Sequence, residues 1–176
     1  MKWIDNNKII DSNIKIITNT LSISSLVFSL TYDCYCTSGS CGDSLTVFIF
    51  GILGLYQFGA SICWLANPLL IFSWFTIKRT KVSFIFSLCS SILAISFLFF
   101  DEVMINEAGH YGKVTSYELG YWLWVLSSLI MLMGNGMILY KNKDVIDQLD
   151  DGKVFKYKIK VGKDGERNVE DGGRSI

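Results

Sequence analysis

The chain has 176 residues, 51% of them hydrophobic and 18% charged, with one proline, one histidine and a formal net charge of zero. Ordinary soluble domains carry about 25% charged residues, and a balanced charge offers no general attraction to nucleic acid. The apolar residues come in long uncharged blocks with no polar face at helical spacing, which excludes a water-facing helical domain of this size.

A bilayer core roughly 30 Å thick needs about 20 apolar residues to cross it as a helix. Four blocks qualify: Ile16–Tyr32, Ser44–Ile77, Val82–Phe100 and Tyr121–Tyr140, none of which contains Lys, Arg, Asp, Glu or His. Backbone groups in lipid must be satisfied within the segment, so the blocks are read as helices. A membrane β-barrel would need alternating polarity, and these blocks have none. The expected fold class is an all-α integral membrane protein, a four-helix transmembrane bundle over 16–140, between an N-terminal segment 1–15 and a tail 141–176.

The N-terminal segment carries Lys2, Lys8 and Lys15. The first block is the most polar, with Thr18, Asn19, Thr20, Ser22, Ser24 and Ser25. A basic start before an apolar run also fits a signal peptide, but no small-residue cleavage site follows, so a retained helix is expected. Its hydroxyls are expected to face protein rather than lipid. The next stretch, Asp33–Asp43, holds Cys34, Cys36 and Cys41 and no basic residue. A disulfide there, Cys36–Cys41 or Cys34–Cys41, would pin the ends of the first two spans, and would leave an odd thiol. The spacing lacks the second ligand pair of a standard zinc site, so no metal is assigned.

The second block is too long for one perpendicular helix: its 34 uncharged residues would reach ~51 Å. A kink at Asn67-Pro68 is expected, because proline removes a backbone donor and disfavours helix at the residue before it. Gly51, Gly54, Gly59 and Ala60 allow close helix approach. Lys78, Arg79 and Lys81 follow. The third block is rich in phenylalanine, and Cys63 and Cys89 inside spans are expected to act as small apolar residues. Ser24–Asp33 and Ser90–Asp101 share a pattern of paired serines, an apolar run and an aspartate, a faint sign of duplication.

Between the third and fourth blocks, 101–120 reads as a solvated acidic loop with Asp101, Glu102, Glu107, His110 and Glu118 and a single basic residue, Lys113. Tyr121, Trp122, Trp124 and Tyr140 bracket the fourth span, where amphipathic rings favour the headgroup level. In the tail, Tyr157, Ile159 and Val161 alternate with Lys156, Lys158 and Lys160, and period two predicts a strand of a small β-hairpin. Lys153, Lys156, Lys158 and Lys160 form a basic stripe, each worth about 1 kcal/mol against an anionic leaflet.

Basic and non-basic gaps alternate along the chain, with nine Lys and Arg in the tail. The positive-inside rule then places both termini in the cytoplasm of a bacterial cell, the protein sitting in the plasma membrane. Asn19, Gln57, Asn67 and Asn135 are the polar side chains at membrane depth, read first as interhelical glue. No ionisable group lies there, as a proton relay would require. No phosphate loop, zincin, hydrolase elbow or dinucleotide fingerprint occurs, and no cofactor is expected. The reading is a non-enzymatic accessory, interaction or immunity-type subunit whose partners are the bilayer and another membrane protein or a second copy. The alternatives are an oligomeric channel or transporter lined by the amides, and a membrane enzyme using Glu102, Glu107 or His110.

Overall fold

The computed structural model of the protein describes residues 2–57, 59–104 and 110–163. The chain forms two units, 1–139 and 140–176. Helix α1 (Lys2–Ser29) leads into strands β1 (Asp33–Thr37) and β2 (Cys41–Asp43). Helix α2 (Ser44–Phe50) continues through 3-10 turns at Gly51–Gln57 and Gly59–Leu65 into α3 (Ala66–Phe75). Helix α4 (Thr80–Ser96) is followed by β3 (Glu102–Met104), β4 (Tyr111–Tyr117) and α5 (Leu119–Lys163).

In the helical layer the usual distribution of residues is inverted. On α1, Thr18, Ser22, Ser25 and Ser29 recur at helical spacing, and all four are buried. They meet α5 directly. Ser22 Oγ donates to the Ser127 carbonyl, Ser25 Oγ to Leu123 O and Ser29 Oγ to Gly120 O, each at 2.8 Å. Ser127 Oγ returns a bond to Ser22 O at 2.8 Å. The descending partner numbers show that the two helices run antiparallel. Close approach requires small residues on both sides, and a Cβ at Gly134 would overlap Thr18.

Helix α4 repeats the device against α3. Ser83, Ser87, Ser90 and Ala94 form one buried face. Ser73 and Ser83 exchange hydroxyl-to-carbonyl bonds of 3.0 and 2.8 Å, and Ser90 Oγ donates to Ala66 O at 2.8 Å. Among the described residues, 14 polar side chains are buried against 12 apolar ones. Ile16, Phe28, Phe75, Ile85 and Ile92 point outward instead, Phe75 at 80% exposure.

Among the described residues, two helices are long and apolar enough to cross a membrane, Thr80–Phe99 and Leu119–Asn142. A third is added if the bent pair Ser44–Leu55 and Gly59–Phe75 forms one span. Helix α1 is not among them, because its buried hydroxyls lower its hydropathy. The chain is therefore mostly helical, with two to three candidate spans and one small sheet.

The structure corrects three sequence expectations. The bend in the second block, 115°, falls between Leu55 and Gly59 rather than at Asn67-Pro68. Gly59 has a φ of +66°, a left-handed conformation that glycine adopts without penalty. Pro68 instead occupies the first turn of α3, where its missing donor matters little. The tail segment Lys153–Val161 is helical, not a hairpin strand, since α5 runs to Lys163. Extending an existing helix needs no new nucleus, whereas a lone hairpin is marginal in water. The lysines of the proposed stripe, Lys153, Lys156, Lys158 and Lys160, therefore lie along a helix and not on one side of a strand.

The third correction concerns the two stretches expected as loops. Asp33–Asp43 and 101–118 combine in a four-stranded sheet of order β2-β1-β4-β3. All three pairings are antiparallel, with Tyr35 opposite Tyr117 between β1 and β4 and Glu102 opposite Lys113 between β3 and β4. The sheet draws on the segments after α1 and after α4, so both helices end at the same side. The turn after α3, with Lys78 and Arg79, lies at the other end of α4.

Asp43 caps α2, accepting from the Thr46 amide at 2.9 Å and its hydroxyl at 2.8 Å. These bonds hold the carboxyl below its usual range. A depressed folded pKa gives stability above the unfolded value that is lost as pH falls through the folded one. The expected outcome is faster amide exchange at Thr46 below pH ~4, absent in Asp43→Asn, which should exchange at one rate across that window once intrinsic pH dependence is divided out.

Candidate functional site

The inner face of the sheet rests on the helix ends. Cys34 of β1 and Val103 of β3 join Cys63, Ala66, Ala94, Phe97, Tyr121 and Val125 in one buried cluster. Tyr121 is fully buried, and its hydroxyl donates to Ala94 O at 3.0 Å. Its ring lies 4.9 Å from Tyr117 and 5.7 Å from Phe97, centroid to centroid. Tyr121 and Trp124, expected at the headgroup rim, thus serve the interior, while Trp122 and Tyr140 are exposed.

A half-open cavity of about 450 Å³ lies beside this cluster, between β1, α1, the bent segment and α5. That volume falls in the range of small-molecule sites, about 300–1,000 Å³. Among the described residues no charged side chain lines it. Most polar groups in its wall are already engaged. Ser29 is bound to Gly120 O, Trp64 Nε1 donates to Phe48 O at 2.8 Å, and Trp124 Nε1 donates to Asn67 Oδ1 at 2.7 Å. Ser44 Oγ, packed against Gly120, is fully buried without a hydrogen-bond partner. Cys34 lies in the same wall; burial pushes its thiol up to about 12, and the nearby Ser44 hydroxyl lowers it without the geometry of a full hydrogen bond. Burial likewise pushes the Tyr35 phenol up to about 12, with the Cys34 charge adding to it. At neutral pH the cavity wall therefore carries a neutral thiol in an apolar shell.

Of the expected site residues, Cys36 and Cys41 are joined as a disulfide with Cα atoms 3.9 Å apart, closing the β1–β2 hairpin. Cys34 is the odd thiol. The expected outcome of labelling the folded protein with a water-soluble maleimide is no modification at these three positions. Reduction should then expose Cys36 and Cys41 but leave Cys34, which is neutral and buried; peptide mapping by mass spectrometry reads the result.

The amides are dispersed. Asn67 bridges α3 to α5 through Trp124, and Asn135 Nδ2 donates to Ser83 Oγ at 2.8 Å, bridging α5 to α4. Asn19 Oδ1 and Asn135 Oδ1 are buried without partners. The side chains of Gln57 and of Lys153, Lys156, Lys158 and Lys160, the residue Glu107 and residues 164–176 lie outside the described set. Glu102 and His110 are exposed. Among the described residues no cluster of three His, Cys, Asp or Glu is placed to hold a metal.

The sequence reading missed the cavity and Ser44. The one signal available was an uncharged block too long for a single span, which must fold back or bend somewhere. Comparison with family models, with curated proteins and with solved structures gives no match. The class that the fold itself defines is a mostly helical protein with two to three candidate membrane-spanning helices and a small disulfide-closed sheet.

Proposed function

We propose that the chain is a four-span membrane protein of the plasma membrane, a non-enzymatic accessory or interaction subunit. Both termini are cytoplasmic and the sheet lies on the outer face. The observation that carries this reading is the inverted distribution of α1: Thr18, Ser22, Ser25 and Ser29 are buried on one face while Ile16, Ile17, Val27 and Phe28 are exposed. Such a helix is unstable in water but suited to lipid, where side-chain polarity belongs inside the bundle. Counting α1 and the bent segment, four spans alternate between the basic turn at Lys78–Arg79 and the sheet, in keeping with the charge pattern.

The accessory role is supported by how the polar interior is used. The buried hydroxyls and amides tie helices together rather than presenting ionisable groups along a path. The sheet offers an ordered surface outside the bilayer for a protein partner. Affinity purification through a C-terminal tag after mild detergent extraction from native membranes is expected to recover a stoichiometric second membrane protein. Recovery of the chain alone would contradict the role. One observation favours the channel reading as the second choice, the unpartnered Oδ1 atoms of Asn19 and Asn135. Ion or solute flux in proteoliposomes that is unchanged by Asn135→Ala would remove its basis.

A further inference from the structure

We infer that Cys36 and Cys41 form a reversible dithiol–disulfide couple that exchanges with the thiols of a partner protein, and that Glu118 steadies its reduced form. The inference concerns the sheet alone and does not depend on the four-span reading.

Three observations carry it. The first is how little the bond does for the fold. It closes a ring over a separation of five residues, and a short ring constrains the unfolded chain least. Cys36 and Cys41 already face each other in the β1–β2 ladder, and β4 holds β1 from its other side. The disulfide is therefore not what keeps the sheet together. The second is Glu118, whose Oε1 lies 3.6 Å from Cys36 Sγ. A disulfide sulfur has no proton to donate, so in the oxidised state the carboxylate meets sulfur without a bond. A Cys36 thiol in the same place would donate its S–H to that oxygen. The reduced form thus gains a hydrogen bond that the oxidised form lacks, which shifts the couple toward easier reduction. The third is access. Cys41 is exposed and Cys36 half-buried, so an incoming thiolate reaches Cys41. Cys34 is buried in the cluster under the sheet and stays out of the exchange, which leaves a couple of two states.

The exchange balances with a dithiol as the partner. Its first thiolate attacks Cys41 Sγ; a mixed disulfide forms as the Cys36–Cys41 bond breaks, and Cys36 leaves as a thiolate. The second partner thiolate then displaces Cys41. The partner ends as a disulfide, having passed two electrons to the pair. The protons its thiols lost are matched by those Cys36 and Cys41 take up from water. The strand β2, three residues at the sheet edge, is then held to β1 by its ladder alone.

The test uses the full-length protein in mild detergent, equilibrated at neutral pH across a series of reduced-to-oxidised glutathione ratios, quenched in acid and alkylated. Mass spectrometry reads the fraction reduced and maps trapped mixed disulfides. Cys36 and Cys41 are expected to be reduced together within the series, with glutathione trapped on Cys41. Glu118→Ala should lower the equilibrium constant for reduction about fivefold, the effect of one lost hydrogen bond. Glu118→Gln keeps a weaker, neutral acceptor and should fall between that variant and the parent. Glu102→Ala, which removes a charge from the same sheet, should match the parent. A disulfide that survives reduced glutathione alone, glutathione trapped on Cys36, or an equilibrium constant indifferent to Glu118→Ala would overturn the inference. If Glu118→Ala does not fold, a Glu118→Gln constant equal to the parent's would overturn it instead.

Discussion

Gly120→Ala is expected to lose about 3 kcal/mol of stability and most of the folded protein. A Cβ at this position would overlap Ser44 Oγ and sit 2.9 Å from the Tyr32 carbonyl oxygen, with the Asp33 carbonyl closer still. Two of these neighbours are backbone atoms at the α1–β1 junction, so they cannot rotate aside as a side chain would. Overpacking a filled site typically costs about 1–3 kcal/mol, and backbone obstruction puts this case at the upper end. The same change would separate Ser29 from Gly120 O, the last of the three bonds that α1 hydroxyls donate to α5 carbonyls. Thermal unfolding in mild detergent, followed by circular dichroism, is the readout. Gly39→Ala is the control, since nothing lies within 4 Å of its added methyl, and it should unfold near the parent.

Tyr121→Ala is expected to cost about 3–5 kcal/mol, the range for removing a large buried ring. The ring has no exposed surface and contacts Phe97, Tyr117, Trp122 and Trp124. It is the point where the sheet, α4 and α5 meet, so its loss should loosen the sheet before the helices. Tyr121→Phe should cost only about 1 kcal/mol, the value of the single hydrogen bond to Ala94 O. Apparent melting temperatures of the two variants should therefore split widely. Equal losses would place the stabilisation in the hydroxyl rather than in the ring.

Much of the helical layer was legible from uncharged blocks, because a membrane imposes a length that a sequence reveals directly. The hydroxyl-rich first block was legible in part: Thr18, Ser22 and Ser25 are buried against protein as expected, whereas Thr20 and Ser24 are exposed. The sheet was not. β2 and β3 have three residues each, too short for a period to show. The decisive pairing, Tyr35 with Tyr117, joins residues 82 positions apart, and nothing local specifies it.

Pro68 misled for a related reason. Proline marks a helix start as readily as a kink, and only the neighbouring geometry says which. Gly59 carried the true break, but one glycine among several in that block gave no distinguishing signal. The tail misled because alternating Lys and apolar residues match a strand's period, while continuity with α5 makes helix the easier course.

The suggested duplication can be judged on topology. Each half does read helix, β-hairpin, helix. Yet the sheet order β2-β1-β4-β3 pairs the first strand of one half with the second strand of the other. A two-fold axis relating the halves would exchange β1 with β3 and β2 with β4, and it would not yield this order. The shared serine spacing of α1 and α4 is explained by a shared packing need.

In the proposed topology the sheet lies outside the cell and the turn after α3 inside. It is tested most directly by placing single cysteines at Lys113 in β4 and Lys78 in that turn, both exposed, in a Cys89→Ala background. A membrane-impermeant maleimide is then applied to intact spheroplasts. Modification of Lys113→Cys in intact spheroplasts, with Lys78→Cys modified only after permeabilisation, is the predicted result. Labelling of both positions from the same side, or of Lys78→Cys alone, would contradict it.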